Sequence, residues 1–280
     1  MQEQLSGIIT PNTAFTLFGG IPAVTLRFSD ISFLSGGRTL HPSTFNSTIS
    51  IRDSQLRGVY SYAWNFNTSG YQGTQIILRN SIAERCTLDW EEGYYSSSQP
   101  YYLSLTVQNC LLSRCTLTLV RSTTYYGYWT ITDNLFDGTA PVINYFTSYN
   151  PIDVVGYNGY IGTASNPLGG SGNQVSLTRD FVAGPLGNYY RPISGSAGSL
   201  AGLNDADSTT SRTPAALGLY HFTSRTDLAK EASTPLDIGS HYIATDSNGY
   251  PLDSDGDGIP DYLEDRNGDG IANTPTGTPP

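Results

Sequence analysis

Five stretches of this chain can be laid on one another: LRFSDISF (26–33), ISIRDSQL (49–56), IILRNSIA (76–83), LTVQNCLL (105–112) and WTITDNLF (129–136). The fifth residue of each is Asp30, Asp53, Asn80, Asn109 and Asp133, in steps of 23, 27, 29 and 24 residues. Two and four positions before it stand apolar residues, such as Ile49 and Ile51 or Leu105 and Val107, and the residue just before it is always polar. Alternation with period two marks a strand with one buried face. Three positions past the anchor the chain is apolar again, at Phe33, Leu56, Ala83, Leu112 and Phe136. Each unit reads as strand, bend, strand.

Asn and Asp suit the bend, because both tolerate left-handed backbone angles and bond nearby peptide groups. Strands this short cannot pair within one unit. They must pair with the next unit, so the chain coils upon itself. The fold expected is all-β: a right-handed parallel β-helix of about five to six coils over residues 1–165, with the anchor side chains stacked in a ladder. A β-sandwich is the alternative, but the Asn-Gly and Asp-Gly hairpin signals it would show are scarce before residue 137. In this scheme Cys86 and Cys115, each in an RCTL stretch six residues past its anchor, stack in adjacent coils as free thiols.

Composition agrees. Tyr, Gly, Ser and Thr are abundant, only 14% of residues are charged, and no long amphipathic helical run exists. Three cysteines without a CxxC give neither a disulfide framework nor a zinc signature. No apolar run is long enough for a membrane-spanning helix, and the first residues lack the features of a signal peptide. Basic residues are not clustered in the sequence, which argues against nucleic acid as a partner.

Two long excursions, 91–102 and 121–129, carry paired tyrosines suited to stacking on sugar rings. Packing of those rings on each other is the plainer reading. Many right-handed β-helix proteins are polysaccharide lyases or hydrolases. The Asn-Thr-Asp, Asp-Asp, Gly-His-Gly and Arg-x-Lys signatures of the galacturonan hydrolases are absent from this sequence. The nearest approach to a lyase site is Asp89, Glu91 and Glu92 with Arg121 one coil later, and these read better as solvated charges.

From residue 166 to 250 the periodicity fails, and the stretch reads as an irregular closing segment. Its LDIGSHY (236–242) resembles the closing signature of secreted bacterial β-helix proteins, in which a cap covers the last coil. The last part, 251–280, is different again. Between 253 and 270 seven acidic residues face one arginine, more than half of the net charge of −10. Numbered from Asp253, the residues Asp253, Asp255, Asp257, Gly258, Asp261 and Glu264 fill positions 1, 3, 5, 6, 9 and 12 of the calcium-loop template. Position 7 is Ile259, which offers a backbone carbonyl. Ca2+ takes six to eight hard oxygens, which a tight loop of alternating carboxylates delivers to one point.

A second frame starts 12 residues on, with Asp265, Asn267 and Asp269, but its position 12 is Thr276. Tandem loops at this spacing leave no room for EF-hand helices. They resemble thrombospondin type 3 repeats, and the resemblance implies shared calcium ions. The expected protein is thus a secreted or cell-surface structural or adhesion module that binds calcium and, through its Tyr-bearing loops, glycans. It would be flanked by further domains; a β-helix polysaccharide lyase or glycoside hydrolase is the alternative.

Overall fold

The computed structural model describes residues 23–32, 39–40, 48–63, 72–91, 94–96, 99–121, 128–145, 153–203, 212–232 and 234–272. Its body is a parallel β-solenoid with three strands per coil, one in each of three sheets. The first sheet stacks Ala23–Arg27, Thr48–Arg52, Gln72–Arg79, Gln99–Gln108, Trp129–Thr132 and Asp153–Gly156, in that order. The second stacks three-residue strands from Asp30–Ser32 through Gln55–Arg57, Ile82–Glu84, Leu111–Ser113, Leu135–Asp137 and Gly159–Ile161, and ends on Gln174–Leu177, beyond residue 165. The third runs from Thr39–Leu40 to Val142–Tyr145.

The alternation read from the sequence is the in/out pattern of the first sheet. Ile49 and Ile51, Ile76 and Leu78, Leu105 and Val107, and Trp129 and Ile131 all point into the coil and are buried. Leu56, Ala83, Leu112 and Phe136 enter from the second sheet, and Leu88, Trp90, Leu117 and Leu119 from the third. Each large side chain removed from water in this way contributes about 1.5–3 kcal/mol.

The bends fall where expected in four coils: Asp53, Asn80, Asn109 and Asp133 have φ of 52°, 42°, 52° and 60°. A further bend at Tyr157 (φ 55°) carries no Asn or Asp. The first coil corrects the alignment. Arg27 pairs with Arg52, so the bend residue there is Phe28 (φ 52°), and Asp30 instead opens the second sheet opposite Gln55. A slip of two residues preserves an in/out pattern of period two, so the sequence pattern could not exclude it.

The ladder also differs from expectation. It runs one position past the bend, through Ser29, Ser54, Ser81, Cys110, Asn134, Asn158 and Asn173. Ser29 N donates to Ser54 Oγ (3.1 Å), Ser54 N to Ser81 Oγ (3.3 Å), Cys110 N to Asn134 Oδ1 (3.0 Å), Asn134 N to Asn158 Oδ1 (3.0 Å) and Asn158 N to Asn173 Oδ1 (2.9 Å). These bonds satisfy N–H groups that the bend would otherwise bury unpaired. A second bend lies five residues past the first, at Gly58, Arg85, Arg114, Gly138 and Gly162, all with φ between 53° and 72°. Cys86 and Cys115 follow it as buried free thiols in adjacent coils, where Thr87 pairs with Thr116. Cys110 is also free, and burial pushes its thiol up to about 12.

The closing segment lies along the flank of the solenoid. Tyr190, Leu200, Leu203, Ile238 and Tyr242 pack on Ile82, Leu111, Leu135, Ile161 and Leu177, the outward residues of the second sheet. Burying that second face explains why those short strands are apolar on both sides. Gly159 keeps this interface close, since a Cβ there would come within 2.9 Å of Leu135 and 3.0 Å of Leu177. The LDIGSHY stretch crosses the rungs like a strap and is held by the bend residues themselves. Gly239 N donates to Asp133 O (2.8 Å), Asn109 Nδ2 to Asp237 O (3.4 Å), and Asn80 bonds both backbone groups of His241. The Asn and Asp bends therefore fasten the strap more than they stack on one another. Asn80 Nδ2 to Asp53 Oδ1 (2.8 Å) is the side-chain bond that does join two of them.

Candidate metal centre

The acidic stretch forms two loops of the same design. In the first, Asp253 accepts from Gly256 N on Oδ1 (2.8 Å) and from Gly258 N on Oδ2 (2.9 Å), and Asp257 accepts from Ile259 N (2.8 Å). Twelve residues on, Asp265 accepts from Gly268 N on Oδ1 (2.8 Å) and from Gly270 N on Oδ2 (2.5 Å), and Asp269 accepts from Ile271 N (2.9 Å). The glycines match as well: Gly256 and Gly268 have φ of 75° and 73°, and Gly258 and Gly270 both 93°. Such angles favour glycine, and they turn the chain tightly enough for alternate side chains to face one centre.

In the first loop, ligand oxygens of Asp253, Asp255 and Asp257 lie within 4.8 Å of one another. None of the three carboxylates has a cationic side-chain partner among the described residues. Glu264, at the end of the short helix Asp261–Glu264, stands beside them. Its pKa is raised, first by partial removal from water and then by the charges of Asp255, Asp257, Asp261 and Asp253. Asp255 Oδ1 accepts from Asp257 N (3.2 Å). The Ile259 N–H closes the turn, leaving the side chain 42% exposed.

Asp261 is differently placed. It is buried, its Oδ1 accepts from Ser254 N (2.6 Å), and its Oδ2 accepts from Ser254 Oγ (2.7 Å) and Lys230 Nζ (2.8 Å). Burial pushes this carboxyl up, but the bonds from Lys230 and Ser254 outweigh it and hold the group below its ordinary value. Asp261 thus clamps the loop to the closing segment. Asp265 does the same for the second loop: it is buried, and its Oδ2 lies 3.0 Å from His221 Nε2. His221 Nδ1 is 3.6 Å from Asp261, so one imidazole stands between both clamps. Asn267 donates to Asp269 Oδ2 (2.7 Å), and the residues at positions 9 and 12 of this frame, Asn273 and Thr276, lie outside the described residues. His221, Lys230 and Ser254 were not foreseen from sequence. Only Ser254 is local, and its neighbours give it no distinguishing pattern.

The module is docked on the solenoid. Tyr262 meets Phe28 edge to face at 5.2 Å, Arg27 donates to Arg266 O (3.2 Å), and Tyr220 N donates to Gly268 O (3.2 Å). Gly218 and Gly268 touch backbone to backbone, since a Cβ on Gly268 would come within 2.2 Å of Gly218 O.

The other candidate residues are less assembled. Asp89 sits half-buried on the third sheet, where burial raises its pKa, and its Oδ1 has no hydrogen-bond partner among the described residues. Glu91 pairs with Val120, and Arg121 with Tyr145, along the third sheet, and Glu92 lies outside the described residues, as do Tyr125 and Tyr126. The first tyrosine excursion is partly built into the sheet, with Tyr94 paired to Pro100 and Tyr101 and Tyr102 paired to Gln72 and Gly73; in the second, Tyr128 is 58% exposed. No described helix is long and apolar enough to cross a membrane.

Fold and strand order define the chain as a parallel β-solenoid protein with a docked tandem of acidic loops. Comparison with protein-family models, with curated proteins and with solved structures returns no match.

Proposed function

We propose that this chain is a structural and adhesion-type β-solenoid of the extracellular space or cell surface, and that its acidic module binds Ca2+ in the manner of thrombospondin type 3 repeats. The observation that carries the calcium reading is the convergence of the Asp253, Asp255 and Asp257 carboxylates, with Glu264 adjacent and, among the described residues, no cationic side chain paired with the three aspartates. Hard oxygen donors on a glycine-turned loop suit Ca2+ in number and kind. Asp253, Asp255, Asp257, the Ile259 carbonyl and Glu264 would hold the ion, with Asp261 bracing the loop from behind. In the second loop Asp265, Asn267 and Asp269 occupy the corresponding positions. The ion would supply charge neutralisation and rigidity.

Weak loops of this kind fill at the millimolar calcium of extracellular fluids, which supports the location. The adhesion reading rests on the rigid, flat-sided scaffold and on the tyrosine-bearing excursions, whose ligand would be a glycan. Isothermal titration of Ca2+ into chelator-treated protein tests the metal reading. Saturable heat that disappears in Asp257→Ala is expected, and an absence of heat from the folded protein would defeat it. A glycan array tests the adhesion reading separately.

A further inference from the structure

The coil register brings together three arginines that the sequence holds far apart. Arg27 pairs with Arg52, and Arg52 with Arg79, all on the outward face of the first sheet. Adjacent strands lie about 4.8 Å apart, so three guanidinium groups share one row. One carboxylate serves the row. Asp53 Oδ2 accepts from Arg27 Nε (2.7 Å) and Arg52 Nε (3.0 Å), and Asp53 Oδ1 accepts from Asn80 (2.8 Å). Arg52 also donates to Gly218 O (2.8 Å). None of the bonds to the Asp53 carboxylate comes from the third member. Arg79 O accepts from Asp53 N (3.2 Å) and Ser81 Oγ (2.7 Å), but the Arg79 guanidinium makes no hydrogen bond and no ion pair among the described residues, and the exposed residue stands beside the like charge of Arg52. Partial burial and then the Arg52 charge push its pKa down, against a smaller opposing pull from Cys110.

The next position on this face of the strand is Ile77, about 6.7 Å from Arg79. Ser50 and Thr106 flank Ile77 on the neighbouring rungs, and Thr130 follows. All four are half-buried. The surface thus offers a planar five-donor cation, then one apolar side chain between two hydroxyls. A guanidinium grips a carboxylate or sulfate by two parallel bonds. A branched aliphatic side chain flanked by hydroxyls suits a pyranose ring lying flat.

We propose that Arg79, with Ile77, Ser50 and Thr106, forms a binding site for an acidic saccharide, the sugar's carboxylate seated on Arg79 and its ring on Ile77. The site is separate from the acidic loops and does not depend on calcium.

The test is titration calorimetry in EDTA at low salt, with a galacturonate hexamer, a neutral galactose hexamer and sodium sulfate as probes. The uronate hexamer binds, Arg79→Gln weakens it at least tenfold, and the neutral hexamer gives no heat. Sulfate competes at least tenfold more weakly than the hexamer. Equal affinity of Arg79→Gln overturns the site, as does equal binding of the neutral hexamer. Sulfate as tight as the hexamer reduces the site to a simple anion hole and overturns the saccharide assignment. Binding that appears only when calcium is restored would arise at the acidic loops and would also overturn it. Because the Arg79 guanidinium has no partner to lose among the described residues, the Arg79→Gln protein melts no lower than the parent, so lost binding cannot be ascribed to misfolding.

Discussion

The side chain of Asn80 reads both backbone groups of His241: its Oδ1 accepts from His241 N at 2.7 Å, and its Nδ2 donates to His241 O at 3.2 Å. Both residues are buried and 161 positions apart. An amide inserted this way imitates a strand, and it holds the strap where sheet pairing cannot reach. Asn80→Ala leaves a buried N–H and a buried C=O without partners, which costs about 2–4 kcal/mol together. Urea unfolding should show that loss. Limited proteolysis should show cleavage within 236–242 before the coils open.

The Asp133 carboxyl, 3.4 Å from Arg212 Nη1, makes the stability of the fold sensitive to pH. Burial raises its carboxyl from 3.8 to about 6, against the opposing pull of Arg212, Thr132, Gln108 and His241. Between those values the folded chain keeps a proton that the unfolded chain has lost. The contribution of Asp133 to stability is therefore fully favourable below 3.8 and falls as pH rises through 6. The span is about 3 kcal/mol by linkage. Asp133→Asn should flatten this part of the profile. The change in melting temperature between pH 4.5 and 7 should become more favourable to the pH 7 protein than in the parent, other titrating groups cancelling in the comparison.

Arg114 occupies the second bend with φ of 55°, and Gly138 occupies the same place one coil later with φ of 59°. A left-handed angle costs a non-glycine residue about 1–2 kcal/mol, partly offset by the greater freedom of glycine in the unfolded chain. Arg114→Gly should stabilise the protein by about 0.5–1 kcal/mol. Gly138→Ala should destabilise it by about as much, since a Cβ there meets nothing closer than Arg114 Cγ at 3.8 Å and only the angle is at issue. Denaturant midpoints of the two variants should move in opposite directions.

Two aspartates of the acidic module should separate by their behaviour in EDTA. Asp257→Ala removes one of three crowded carboxylates, so the metal-free protein melts at or slightly above the parent temperature, while the stabilisation by calcium is lost. Asp261→Ala strips Ser254 and the half-buried Lys230 of their shared partner and lowers the melting temperature with or without calcium, by an amount typical of lost hydrogen bonds to a charged group, about 1.5–3 kcal/mol. Thermal melts of both variants with and without 5 mM Ca2+ (about the weak-site range) decide the matter.

What could be read from the sequence was whatever is local. The alternation around Ile49 and Ile51 fixed a strand with one buried face, and its recurrence fixed the coil. The same period of two hid the slip at Phe28, because moving a strand by two residues leaves every side chain on its face. The ladder escaped notice because Ser, Cys and Asn share its position, so no single residue type repeats. The carboxylates at 253, 255 and 257 stood out for being neighbours in the chain. Their supports did not: Lys230 is 31 residues from Asp261, and His221 is 44 from Asp265. The arginine row needed the register itself, since nothing in the sequence marks residues 27, 52 and 79 as companions.

The contact of Tyr262 with Phe28 has a mechanical consequence. The strap returns the chain from the last rungs to the first, so the acidic module is moored beside the opening coil. Tension applied at residue 272 would not be transmitted rung by rung through the parallel ladders. It would enter at Phe28, Arg27 and Gly218 and peel the strap from the flank, breaking its bonds a few at a time. Under load the seam, and not the stack, is the part of this molecule that yields first.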